Sequence, residues 1–193
     1  MIQAIHTLSN QLHGAGADWL IGGSCGLIAQ GVEVSKQPRD LDMYADLEHA
    51  EIIAKQLQPF ASDASQYSET DIYRSVLSHY QIESMTLELV GNFQIISSGS
   101  VYTVEVSYLK KKHPVTVDLN GCLVPLMPLS HELIFNLLRG RIDRYEAIAS
   151  VMREQPALHQ DVMADLMKRN TLSSHLTEQI RTLLPWTGPK AGN

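Results

Sequence analysis

The chain has 193 residues, 44% of them apolar and 19% charged, with a formal net charge of −6. That length and balance fit one globular domain, or one core with an appended subdomain, rather than a disordered chain. A negative chain has no global basic field, so nucleic acid is not an expected partner; "LKKKHP" at 109–114 is the one local basic run.

The first residues, "MIQAIHTLSNQLHGAG", lack the basic start and apolar block of a signal peptide. Nowhere do about 18 apolar residues run uninterrupted, so no membrane span is expected and the cytoplasm is the default location. Ile2, Ile5, Leu8 and Leu12 recur at helical spacing, and Gly14 and Gly16 end that helix. "DWLIGG" reads as a short buried strand ending in a turn. A helix follows from Ser24 to about Gln30, with Ser24 near its cap. "RDLDMYAD" is the next strand, with Leu41 and Met43 facing away from Asp40, Asp42 and Tyr44. Asp46 is placed to cap a helix carrying Ala50, Ile53, Ala54 and Leu57, which Pro59 ends.

Residues 61–71 are polar and read as a loop. From Ile72 to Leu126 the texture is β, in "IYRSVLSHYQI", "MTLELVGNFQII", "VYTVEVSYL", "PVTVDLN" and "CLVPL", with breaks at Gly91, Gly99, Pro114 and Gly121. Lys110, Lys111 and Lys112 read as a solvated hairpin tip. After Pro128 the period turns helical. Leu133, Ile134, Leu137 and Leu138 form one stripe with Gly140 as its stop, and Asp143 with Glu146 resembles a capping box. Two further helices carry Leu158, Val162 and Leu166, then Leu172, Leu176, Ile180 and Leu184. The tail "PWTGPKAGN" is expected to fray. This divides the chain into an α/β part, residues 1–128, and a helical part, residues 129–193.

Cys25 and Cys122 share no metal-ligand spacing and read as reduced core thiols. The eight histidines show no ligand spacing and receive no role. Asp40 and Asp42 are different. Two apart on a strand, they project their carboxylates from one face. Two adjacent anions repel, and burial makes this worse, so a cation should offset them. Magnesium takes one or two carboxylates together with substrate phosphates. Upstream, Gly22, Gly23 and Ser24 form a strand-to-helix turn where backbone N–H groups can approach a phosphate. The turn matches neither a Walker A loop nor a G-x-G-x-x-G fingerprint. Taken alone, the turn reads equally as a helix cap and the acids as exposed neighbours of Arg39. Together they suit a metal–nucleotide.

The order of these parts resembles the signature of the DNA polymerase β-like nucleotidyltransferase superfamily. Gly-Gly-Ser follows an apolar strand, then comes a helix, then "RDLDMY"; the match is close over residues 19–46 and looser to about residue 90. The resemblance implies an α+β fold: a mixed β-sheet nucleotidyltransferase domain with a C-terminal helical subdomain. It implies an enzyme that moves a nucleoside monophosphate from a nucleoside triphosphate, ATP foremost, to a hydroxyl acceptor, with two Mg2+ ions. By resemblance, Gly22, Gly23 and Ser24 hold the triphosphate, and Asp40 and Asp42 hold metal with a third acid on a later strand.

Glu88 in "MTLELV" is the favoured third acid, as metal ligand or base, with Asp118 and Glu105 as rivals. Small stand-alone members include antibiotic-modifying enzymes and the transferase half of toxin–antitoxin pairs. The acceptor is therefore expected to be an antibiotic-like small molecule or a protein side chain; a homodimer or protein partner stays open. "HELIFNLLRGRIDRYEAI" loosely resembles the helical segment that follows the catalytic sheet in such proteins. Arg139, Arg141 and Arg144 within it read either as phosphate ligands or as a solvated basic face. The competing reading of the whole chain is an inactive nucleotide- or partner-binding module of the same fold.

Overall fold

The computed structural model describes residues 1–187. Eight strands form one mixed sheet: β1 (Leu20–Gly22), β2 (Asp40–Ala45), β3 (Gln66–Glu69), β4 (Tyr73–Ile82), β5 (Met85–Ser97), β6 (Ser100–Thr103), β7 (Val115–Leu119) and β8 (Cys122–Leu126). Their order is β3-β4-β5-β2-β1-β8-β7, with β6 added against β5. β2 runs parallel to β5 and β1 to β8, while the other neighbours are antiparallel. Among the described residues eight α-helices accompany it: α1 (Ile2–Gln11), α2 (Gly23–Ala29), α3 (Leu47–Gln56), α4 (Val106–Lys112), α5 (Leu129–Leu138), α6 (Ile142–Glu154), α7 (Gln160–Arg169) and α8 (Ser174–Leu183). This is the mixed-sheet α+β architecture expected, with all helices after Pro128 following the sheet.

Strand alternation decides what each face of the sheet meets. Leu41 and Met43 on β2, with Leu87 and Leu89 on β5, point to one side. There they pack under Ile5 and Leu8 of α1 and Ile53 of α3. Leu41 and Met43 are fully buried, and truncating Leu41 to alanine costs about 2–5 kcal/mol. Tyr44, Val90 and Phe93 point to the other side and join Leu133, Ile134, Ile148 and Ile180 of the C-terminal helices in a second cluster. The carboxylates between these residues therefore face α5 and α6. No helix among the described residues is long and apolar enough to cross a membrane.

Several expectations need correction. Residues 61–71 are not all loop, because Gln66–Glu69 pair with Arg74–Leu77 as an edge strand. Gly91 is no break. It lies within β5, and a Cβ there would stand 2.8 Å from that of Ala50, so its bareness lets α3 sit against the sheet. The β texture breaks after Thr103 and resumes at Val115; between them the lysines form the last turn of α4 rather than a hairpin tip. Lys110 pairs with Asp18 at 2.8 Å. Asp46 precedes α3 but caps α4 instead, its carboxylate accepting the N–H groups of Val106 and Ser107 at 2.8 and 2.9 Å. α2 starts at Gly23, so Ser24 is inside the helix and not its cap. Asp143 forms no capping box and pairs with Arg141. Leu158 is exposed in a three-ten turn. The cysteines are free, Cys25 buried and Cys122 partly so. Of the tail expected to fray, Pro185–Thr187 make a three-ten turn and residues 188–193 lie outside the described residues.

Candidate active site

Asp40 and Asp42 occupy the first and third positions of β2. Glu88 on β5 is the register partner of Asp42 in the parallel pairing, while Asp40 stands opposite Thr86. All three carboxylates line one cleft of about 430 Å³. The rival acids are elsewhere. Asp118 lies on the far edge strand, where Oδ1 accepts the Gly121 N–H in a turn. Glu105 holds Arg169 through two hydrogen bonds of 2.7 and 2.8 Å.

The opposite wall comes from the β1–α2 turn and the helices. Gly23 and Ser24 line the cleft, as do Glu132 of α5, Arg139 just past its end, and Arg141 and Arg144 at the start of α6. Gly22 ends β1 opposite Asp42. Gly23 takes a positive φ of 57°, and a Cβ on it would lie 1.9 Å from Oδ2 of Asp42. Only glycine allows both that backbone and that approach.

Two groups expected to meet a phosphate are engaged within the chain. The Gly23 N–H donates to Oε1 of Glu132 at 2.8 Å. Nη2 of Arg144 donates to Oγ of Ser24 at 3.0 Å, which leaves the serine proton free to donate elsewhere. Arg144 is mostly buried, and among the described residues its Nε has no hydrogen-bond partner. A buried guanidinium with an unmet donor is suited to an incoming anion. Arg139 lies over the ring of Phe135, 4.7 Å from its centroid, with Tyr73 beyond at 5.9 Å.

The electrostatics of the cleft are strained. Burial, then the charges of Asp40 and Glu88, push the Asp42 carboxyl up to about 7, against the pull of Arg139 and Arg144. Glu132 is fully buried. Burial pushes it up to about 8, with Asp42 adding to the rise and the Gly23 N–H opposing it. This chemistry fits a hard divalent cation at the Asp40–Asp42 pair: two adjacent oxygen donors, one held far from its ordinary range, with no hydrogen bond acting to lower it. Among the described residues no three His, Cys, Asp or Glu side chains converge as a ready metal cage. A pair completed by substrate phosphates needs no such cage.

Glu132 was not singled out from sequence. Its signal is an acid inside an apolar helical stripe, "LSHELIFNLL", all ten residues of which are buried. Tyr44 and Tyr73 line the cleft, while Trp19 belongs to the core beneath α1. His79 is held by Asp63, with Nε2 3.8 Å from Oε1 of Glu88.

The fold has counterparts. The family model for aminoglycoside-2''-adenylyltransferase matches residues 4–147. No curated protein sequence matches. A Thermotoga maritima protein described as a nucleotidyltransferase has a similar fold, with a TM-score of 0.63 at 22% identity, over 80% of this chain and 93% of that one. The structure of ANT(2'')-Ia in complex with adenylyl-2''-tobramycin is similar at a TM-score of 0.51 and 12% identity, over 87% of this chain and 97% of that one. At those identities the likeness concerns the fold; the match over residues 4–147 carries the family. The chain belongs to the aminoglycoside-2''-adenylyltransferase family, within the DNA polymerase β-like nucleotidyltransferases.

Proposed function

We propose that this nucleotidyltransferase moves a nucleoside monophosphate from a nucleoside triphosphate, ATP foremost, to a hydroxyl acceptor, with Mg2+ held at Asp40 and Asp42. The single observation that carries the reading is the Asp42–Glu88 register, which lines three carboxylates into one cleft with three guanidiniums. Carboxylates alone would repel a triphosphate, and guanidiniums alone would not hold a cation. Both together suit a metal-bound polyphosphate.

Each side chain has a part in this reading. Arg139, Arg141 and Arg144 attract and orient the phosphates. Ser24 donates its free proton to a phosphate oxygen. Glu132 fixes the β1–α2 turn through the Gly23 N–H. Glu88 accepts the proton of the acceptor hydroxyl at a carboxylate oxygen or adds a third ligand beside the pair. When bound, the magnesium would neutralise phosphate charge and lower the pKa of the acceptor hydroxyl. Residues 1–128 would supply the metal and phosphate groups, and the helices after residue 128 would wall the cleft. ANT(2'')-Ia, seen with adenylylated tobramycin, makes an antibiotic one acceptor class to consider; a protein hydroxyl is the other.

Pyrophosphate release from ATP, measured with and without Mg2+ over a panel of hydroxyl acceptors, tests the reading. Acceptor-dependent release that needs the metal supports it. The Gly23 N–H, already taken by Glu132 within the chain, favours a second reading, a nucleotide-binding module without turnover. Tight Mg-ATP binding with no release for any acceptor would select that one.

A further inference from the structure

We propose that His79 is a positioning residue for the transfer: braced by Asp63, its Nε2 holds Oε1 of Glu88 and leaves Oε2 to meet the acceptor hydroxyl or the metal. This rests on the nucleotide reading above and deepens it. The geometry is a ladder of register partners across four strands. Gly22 on β1 stands opposite Asp42 on β2, Asp42 opposite Glu88 on β5, and Glu88 opposite His79 on β4. Register partners point their side chains to one face of a sheet, so Asp42, Glu88 and His79 share the face that bears the cleft. Asp42 and Glu88 line the cleft and His79 does not. It stands behind Glu88 and acts through it.

His79 is held at three points. Its carbonyl accepts the Ser62 N–H at 2.8 Å, its own N–H donates to Oδ1 of Asp63 at 2.7 Å, and Nδ1 donates to Oδ2 of that carboxylate at 2.5 Å. The two bonds from His79, the backbone one first, hold the Asp63 carboxyl below its ordinary range. A carboxylate accepting from Nδ1 fixes the ring, with Nε2 3.8 Å from Oε1 of Glu88. With a proton on each nitrogen the ring donates to both carboxylates.

Glu88 needs such a partner. Among the described residues no hydrogen bond holds its carboxylate, and its side chain is partly exposed. A free glutamate swings among rotamers, whereas a reacting carboxylate must keep one. A contact of 3.8 Å is about 1 Å longer than a hydrogen bond, and catalytic contacts of this kind tighten when substrate binds. A purely structural role would instead make the Asp63–His79 pair a tie between β4 and the chain entering β3.

Two substitutions separate these roles. His79→Gln keeps an amide donor at the place of Nε2 but loses the side-chain bond to Asp63. His79→Asn keeps a donor at the place of Nδ1 and falls short of Glu88. The assay is pyrophosphate release from Mg-ATP with tobramycin as acceptor. His79→Asn should lower kcat by roughly 10- to 100-fold with KM for ATP unchanged, and His79→Gln by less than about threefold. The reverse ranking, equal losses, or a loss carried by KM overturns the proposal. A second readout needs no acceptor. With Mg2+ and a non-hydrolysable ATP analogue bound, Glu88→Gln should move the nitrogen NMR resonance of His79 Nε2 and leave that of Nδ1 in place. An unmoved Nε2 equally overturns the proposal. The analogue titration comes first: no Mg2+-dependent binding sinks the nucleotide reading itself, whereas bound analogue with wild-type turnover in His79→Asn sinks only the role of His79.

Discussion

The backbone N–H of Gly23 donates to Oε1 of Glu132 across 109 residues of sequence. This bond ties the turn after β1 to the helix that walls the cleft. It places a buried carboxyl within the same set of charges as Asp42, whose charge adds to the rise that burial causes in the Glu132 pKa.

A pH dependence follows from Glu132. Its carboxyl is raised from the ordinary 4.5 to about 8 on folding, chiefly by burial. Between those values the folded state holds a proton that the unfolded chain has released, so this group's contribution to stability falls as pH rises through that window. Glu132→Gln keeps an oxygen for the Gly23 N–H and carries no charge. Urea unfolding should find the variant about as stable as wild type at pH 5 and more stable by about 1–4 kcal/mol above pH 8. An equal difference at both pH values would count against a buried, proton-holding Glu132.

Asp42→Asn should abolish transfer while leaving the fold intact. The amide removes the charge but preserves the shape beside Gly23. A loss of roughly 10²- to 10³-fold in turnover is expected, together with loss of any magnesium-dependent rise in melting temperature. Wild-type turnover by a folded variant would remove Asp42 from the chemistry.

Glu88→Gln should lower turnover far more than Asp118→Asn. Glu88 lines the cleft opposite Asp42, whereas Asp118 supports only the Gly121 turn. The opposite ranking in a pyrophosphate-release assay would move the third acid to the edge strand.

Gly23→Ala and Gly14→Ala separate backbone strain from a clash. Both residues have positive φ, but a Cβ at Gly14 meets nothing within 4 Å. Gly14→Ala should cost about 1–2 kcal/mol. Gly23→Ala should cost clearly more and inactivate the protein, because its Cβ collides with the Asp42 carboxylate. Similar unfolding midpoints for the two would mean that the turn is not packed against Asp42.

The parts of the site legible in sequence were those carried by strand alternation. Asp40, Asp42 and Glu88 alternate with Leu41, Met43, Leu87 and Leu89, and that pattern alone sets which face they share. The parts that were not legible depend on partners distant in sequence. β3 is a polar edge strand whose regularity comes from β4. α4 hides inside a run of alternating valines because the Asp46 carboxylate caps it from 60 residues away. Glu132 reads as helix texture, and the arginines stay open between phosphate ligands and a solvated face, until α5 and α6 fold over the sheet and bring Arg144 to Ser24.

The central claim is that the paired aspartates and the arginine wall together hold a metal-bound triphosphate. Calorimetric titration of a non-hydrolysable ATP analogue into the wild-type protein and into Asp40→Asn/Asp42→Asn, each with and without Mg2+, tests it most directly. The account predicts saturable, magnesium-dependent binding by the wild type and its loss in the double variant. Binding of equal strength in all four titrations, or none in the wild type with magnesium, would contradict it.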